Sequence, residues 1–132
     1  MRKSIAMLLA AVVATVSMGL VSMPAHAGNF NGSCESGEVC LWDGVNYTGA
    51  RADFYDNVSN YTAWHFWNSS VWLNDAVDSA QNKASWSDVL LYQHANYGGD
   101  AYWLMKGKSN GSFGSYWGNM FSSHKFVFCG LC

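Results

Sequence analysis

Val39-Cys40-Leu41-Trp42-Asp43-Gly44-Val45-Asn46-Tyr47-Thr48-Gly49 returns 50 residues later as Val89-Leu90-Leu91-Tyr92-Gln93-His94-Ala95-Asn96-Tyr97-Gly98-Gly99. Five of the eleven paired positions are identical, and Trp42 matches Tyr92 as an aromatic. Self-similarity at a fixed offset is the signature of a duplicated structural unit. Leu41-Trp42 and Leu91-Tyr92 have strand propensity, while Asp43-Gly44 and Gly98-Gly99 supply turn chemistry and positive φ. Each copy reads as a hairpin whose second strand runs over 51–55 or 100–105. The spacing aromatic-x4-Tyr-x-Gly lets two rings fold over a glycine backbone. Tyr47 and Tyr97 are therefore expected to pack over the turns of their own hairpins.

A second element repeats further along each half. Asn74-Asp75-Ala76-Val77-Asp78-Ser79 aligns with Gly118-Asn119-Met120-Phe121-Ser122-Ser123 at an offset of 44, so the first half carries six extra residues. They fall within 56–73, a stretch holding Tyr61, Trp64, His65, Phe66, Trp67 and Trp72, whereas 106–117 is rich in Gly and Ser. Both elements run into apolar strand sequence. A hairpin plus two more short strands per half makes two four-strand units, and four short antiparallel strands favour a Greek key. Neither half can bury its apolar face alone. The expected fold is all-β, two Greek-key motifs packed as a sandwich about an approximate two-fold axis. No helix longer than a turn is expected, and 75–84 reads as a loop entering a strand.

Residues 1–27 read as a signal peptide: Arg2 and Lys3 open it, an apolar run follows, and Ala25-His26-Ala27 closes it as a cleavage site. The run is short for a membrane span, so no membrane association is expected after cleavage. The remaining 28–132 reads as one secreted domain, with repeat halves about 34–84 and 85–132. It keeps five of the seven basic residues against nine acidic ones. That balance argues against a nucleic-acid partner, which needs a basic patch. All 21 Phe, Trp and Tyr lie in this part, which excludes a disordered chain. So do all four cysteines, Cys34, Cys40, Cys129 and Cys132, an even number that in an exported domain reads as two disulfides. Three pairings are open. The local pairing, Cys34–Cys40 across a turn at Ser36-Gly37, is favoured over bonds that would tie the two ends of the domain together.

The duplicated aromatic-x4-Tyr-x-Gly hairpin followed by Asn/Asp-Asn/Asp-x-x-Ser/Thr-Ser resembles the βγ-crystallin superfamily. Cys34, Cys40, Leu41, Trp42, Asn46, Tyr47 and Gly49 resemble the opening of the Streptomyces metalloproteinase inhibitor family of secreted peptidase inhibitors. This resemblance implies a βγ-crystallin-like sandwich, a monomer, and an extracellular protease, a metalloprotease by family, as partner. It carries over no reactive bond, and the contact residues stay unknown, with the 56–72 insertion as one alternative surface. The superfamily also implies calcium, with Asn74, Asp75, Asp78, Asn119 and Ser122 as oxygen ligands at sites bridging both halves. In that reading Asp75 and Asp78 repel each other until a cation arrives. Against it stands the reading that these residues, with Ser79 and Ser123, only cap turns.

An enzyme is not expected, and no cofactor is required. His65, His94 and His124 belong to no metalloprotease or nucleophile-elbow motif, and no carboxylate pair is assigned to acid and base. The sequence leads to a secreted peptidase inhibitor, with a calcium-binding module of structural, envelope or toxin-like role as the alternative.

Overall fold

The computed structural model describes residues 29–128. The leader, Cys129 and Cys132 lie outside them. Among the described residues, seven strands form the frame: β1 Val39–Trp42, β2 Arg51–Phe54, β3 Ser79–Asn82, β4 Ser87–His94, β5 Gly98–Leu104, β6 Ser109–Asn110 and β7 Ser123–Phe128. They make two antiparallel sheets, one ordered β2-β1-β3-β6 and the other β5-β4-β7. The fold is all-β, as the repeat implied. The one α-helix among the described residues is a single turn, α1, Gly114–Trp117, and 75–84 is a loop running into β3. No helix of the described residues is long and apolar enough to cross a membrane.

The sheets are not the two halves. Each half lends its third strand to the sheet of the other. From the second half, β6 pairs with β3 through Ala80↔Asn110 and Gln81↔Ser109. From the first half, Val58 joins β7 at His124, exchanging two backbone hydrogen bonds of 3.1 and 2.9 Å. The first half's third strand is thus reduced to one bridge. Loop contacts obey the same symmetry. Asp78 N–H donates to Trp42 O and Ser122 N–H to Tyr92 O, both at 2.8 Å. Asp75 N–H donates to Phe121 O and Asn119 N–H to Val77 O, both at 3.0 Å.

The core lies between the sheets and is built from equivalent residues: Val39 and Val89, Leu41 and Leu91, Val77 and Phe121, Tyr61 and Phe113, all buried. The two faces of β1 are both covered, since its four residues are all buried. The segment before it, from Phe30 onward, lies over the sheet and bonds to Asp53 O through the Phe30 N–H. Asp53, fully buried, accepts from the backbone N–H groups of Asn31 at 2.7 Å and Gly32 at 2.8 Å.

Both hairpins turn through one 3-10 turn, Val45–Tyr47 or Ala95–Tyr97. Positive φ falls at Gly99, where the sequence placed it, but not at Gly44 or Gly98. Gly44 has φ −119° and Gly98 has φ −98°, both extended. The left-handed residues are Asn46 and Tyr47 (53° and 61°), Asn96 and Tyr97 (57° and 60°), and Gly49 and Gly99 (82° and 72°). Asn tolerates this region because its short side chain can bond locally, but Tyr does not. Tyr47 and Tyr97 are held there by their contacts. Tyr47 packs edge-on to Trp42 at 5.4 Å and Tyr97 to Tyr92 at 5.8 Å. A Cβ on Gly49 would collide with the Asp43 carboxylate, which caps the turn by accepting from Ala50 N–H at 2.7 Å.

The last serine of each repeated loop locks the hairpin of its own half. Ser79 Oγ accepts from Tyr47 N–H at 3.0 Å and donates to Gly44 O at 2.6 Å. Ser123 Oγ accepts from Tyr97 N–H at 3.1 Å and donates to His94 O at 2.7 Å. Ser79→Ala and Ser123→Ala each remove a buried hydroxyl and its two part-buried hydrogen bonds, so each should lower stability by about 1–3 kcal/mol in urea unfolding. The two losses should be similar, because the two environments are equivalent.

Candidate functional site

The left-handed residues Asp75 and Asn119, with φ of 54° and 58°, occupy matching positions in the two repeated loops. Each reaches across to the other half. Ser122 Oγ donates to Asp75 Oδ1 at 3.3 Å, and Asn119 Nδ2 donates to Asp78 Oδ1 at 3.0 Å. The result is two cross-half pairs of oxygen-bearing side chains. Asp75 and Asp78 do not form one repulsive pair, since each has its own partner in a different pair. A cleft of about 400 Å³ opens at the first pair, lined by Asp75, Gln93, His94, Asn119, Met120 and Ser122. Asn74 is not in that cleft. It donates to Asp75 Oδ2 at 2.8 Å, and its own Oδ1 is buried without a hydrogen-bond partner. Among the described residues, no three His, Cys, Asp or Glu side chains gather as a metal-holding group.

The cysteines predicted to pair do so where described. Cys34 and Cys40 are bonded, six positions and 5.8 Å apart at Cα, around the Ser36-Gly37 turn. Inside this loop lies Glu38, fully buried, whose Oε2 accepts from Glu35 N–H at 2.6 Å while Oε1 has no partner. Burial pushes the Glu38 carboxyl above its ordinary range. Cys40→Ser should lower stability by about 2–3 kcal/mol by loop-closure entropy, read as a shift of the urea midpoint.

A polar pair invisible to motif reading sits in the core. Tyr61 Oη and His124 Nδ1 are 2.7 Å apart, and His124 Nε2 is 2.9 Å from Asp56 O. A carbonyl only accepts, so Nε2 carries the proton, Nδ1 accepts, and the Tyr61 hydroxyl donates. Both side chains are completely buried. Burial lowers the His124 imidazole to about 4 and raises the Tyr61 phenol well above its usual value. The pair joins the 56–73 insertion to β7 and is a neutral structural bond, shut off from any substrate. His124 takes a proton near pH 6.5 when unfolded and near 4 when folded. The unfolded state therefore binds more protons across that window, and stability present above pH 6.5 falls as pH drops towards 4. The loss should reach about 3 kcal/mol. Urea unfolding at several pH values checks this, and His124→Gln should flatten the profile between pH 6.5 and 4.

This architecture is that of a βγ-crystallin domain. Among solved structures, one concerned with the evolution of the eye-lens βγ-crystallin domain fold is 19% identical, superposes with a TM-score of 0.62, and covers 74% of this chain and 92% of that one. The βγ-crystallin of Ciona intestinalis is 20% identical with TM-score 0.56, over 69% of this chain and all (100%) of that one. A domain from Flavobacterium johnsoniae is 23% identical with TM-score 0.56, over 71% of this chain and 98% of its own. No curated protein matches the sequence. Residues 28–104 match peptidase inhibitor family I36, and the chain belongs to that family. Its function class is peptidase inhibitor, and its target class is a protease.

Proposed function

We propose that the protein is exported and inhibits an extracellular peptidase, a metalloprotease, without catalysing a reaction of its own. The observation that carries this reading is the family match over 28–104, which spans the disulfide, both hairpins and the insertion. The fold supplies a physical reason. An inhibitor must survive the enzyme it blocks, and cleavage proceeds through locally opened states. Because each half completes the other's sheet, neither can open without breaking the Val58–His124 and β3–β6 pairings. The leader at 1–27 supports export, and the burial of His124 supports a non-catalytic role.

The test is titration of the purified protein against metallo-, serine and cysteine peptidases. Stoichiometric loss of metalloprotease activity, with a complex on gel filtration, is the expected outcome. Loss of no peptidase activity would refute the inhibitor reading.

The reciprocal Asp75–Ser122 and Asn119–Asp78 pairs favour a second role, calcium binding. Asp75, Asp78 and Ser122 present hard oxygens in these pairs, as Ca²⁺ prefers, and Asn74 Oδ1 is a further buried oxygen without a partner. Each pair holds one carboxylate, which suits weak rather than tight binding. Bound calcium would neutralise that carboxylate and strengthen the link between halves. Ca²⁺ at 100 times its dissociation constant adds about 2.7 kcal/mol to stability, and so should raise the melting temperature by roughly 10 °C. Asp75→Ala and Asp78→Ala should each remove part of that rise. No shift on adding millimolar Ca²⁺ after chelation leaves these side chains as turn caps and cross-half hydrogen bonds.

A further inference from the structure

The duplication accounts for nearly all of the chain except one segment of the first half. Between Trp64 and Leu73 the chain makes a small, irregular hairpin with no counterpart in the Gly- and Ser-rich stretch of the second half. Leu73 N–H donates to Trp64 O at 2.9 Å and Phe66 N–H to Val71 O at 3.0 Å, with His65 bridged to Trp72 between them. Phe66 and Leu73 are buried and pin the base to the core. The Trp67 N–H bonds to Arg51 O at 2.7 Å, tying the hairpin to β2.

Two of the exposed side chains of this hairpin, Trp67 and Trp72, are packed against neighbouring groups. His65 stacks on Trp72 with ring centroids 3.7 Å apart. Trp67 lies so close over Gly32 that a Cβ there would enter the indole, and it meets Phe30 edge-on at 5.4 Å. Yet Trp67, Val71 and Trp72 remain 44%, 42% and 55% exposed. Trp67, Asn68 and Ser69 form a ridge between two clefts of about 700 and 500 Å³. The first is lined by Phe30, Trp64 and His65, the second by Trp42 and Arg51, whose Nε is buried without a hydrogen-bond partner.

We propose that this ridge and the exposed return of the hairpin through Val71 to Trp72, with Arg51 beside it, form the surface that enters the active-site cleft of the inhibited peptidase. The inference rests on the inhibitor reading above and names its contact residues. A convex, preordered segment enters a concave cleft at little entropic cost. Its tip, Trp-Asn-Ser-Ser-Val-Trp, carries no charge and combines rigid aromatic anchors with adaptable hydroxyl and amide groups. Trp is enriched among binding hot spots, and Ser and Asn serve as adaptable contacts in antibody paratopes. The hydrogen bonds and stacked rings provide the rigidity that a second disulfide could otherwise give. A folded core does not require the segment's outer residues, since the second half forms its sheet contacts without them. The partner is a peptidase whose subsites accept aromatic and β-branched side chains, with a carboxylate or carbonyl near Arg51.

The experiment takes whichever peptidase of the panel the wild type inhibits most strongly. Inhibition constants are then compared for Trp67→Ala, Trp72→Ala, Val71→Asp and the remote controls Met105→Ala and Tyr116→Ala, whose side chains are also exposed. Melting temperatures verify that each variant folds, and Val71→Asp leaves the His65–Trp72 stack in place should Trp72→Ala loosen the loop. The ridge variants should each weaken inhibition by about 10-fold or more, and the controls by no more than about twofold. Amide exchange over 64–73 should slow in the complex. Folded ridge variants that inhibit like the wild type would overturn this assignment while the inhibitor reading stands. A wild type that inhibits no peptidase would overturn both.

Discussion

The exchange of third strands between the halves is the constraint on which the rest of this molecule depends. One hydrogen-bonded bridge, Val58 to His124, and one two-residue pairing, β6 to β3, convert two weak four-strand units into a single cooperative domain. Neither pairing is extensive. Their leverage comes from position: each closes the edge of a sheet that its own half leaves open. Around them the same backbone bonds are made twice, with Asp78 and Ser122 as one equivalent pair and Asp75 and Asn119 as the other.

That exchange also determines where polar chemistry is found. The loops that carry Asp75 and Asn119 arrive side by side because each half crosses to the other's sheet, so their side chains find partners across the pseudo-two-fold axis. His124 bonds Val58 by its backbone and Tyr61 and Asp56 by its side chain, so one residue secures the crossing three ways. A buried, neutral imidazole with both nitrogens satisfied specifies the arrangement, and desolvation keeps it uncharged.

Symmetry makes the stable part of the molecule and its breaking marks the part open to specialisation. The second half passes from β5 to β7 through β6, α1 and a short Gly- and Ser-rich path. The first half covers the same distance with a rigid aromatic hairpin whose base is core and whose tip is solvent-exposed. A peptidase inhibitor needs both properties: a body that resists opening and a projecting segment that does not have to be ordered on binding.

The repeat, the strands, the Cys34–Cys40 bond and the all-β architecture were legible in the sequence because they rest on local chemistry. Strand propensity, turn residues and a six-residue cysteine spacing act between near neighbours. The family resemblance was legible for the same reason. What the sequence left open was decided at long range. Positive φ moved from Gly44 and Gly98 to the Asn-Tyr pairs, because ring packing on Trp42 and Tyr92 and the Ser79 and Ser123 hydroxyls hold the tyrosines in a left-handed turn. Asp75 and Asp78 look like repelling neighbours three positions apart, yet the loop aims them at different residues of the other half. No pattern announced that His124 would meet Tyr61, 63 residues away, or that Trp67 would lie over Gly32. Local sequence fixes which strands form. Only closure of the core fixes which edges they join, and with those edges the side chains that meet.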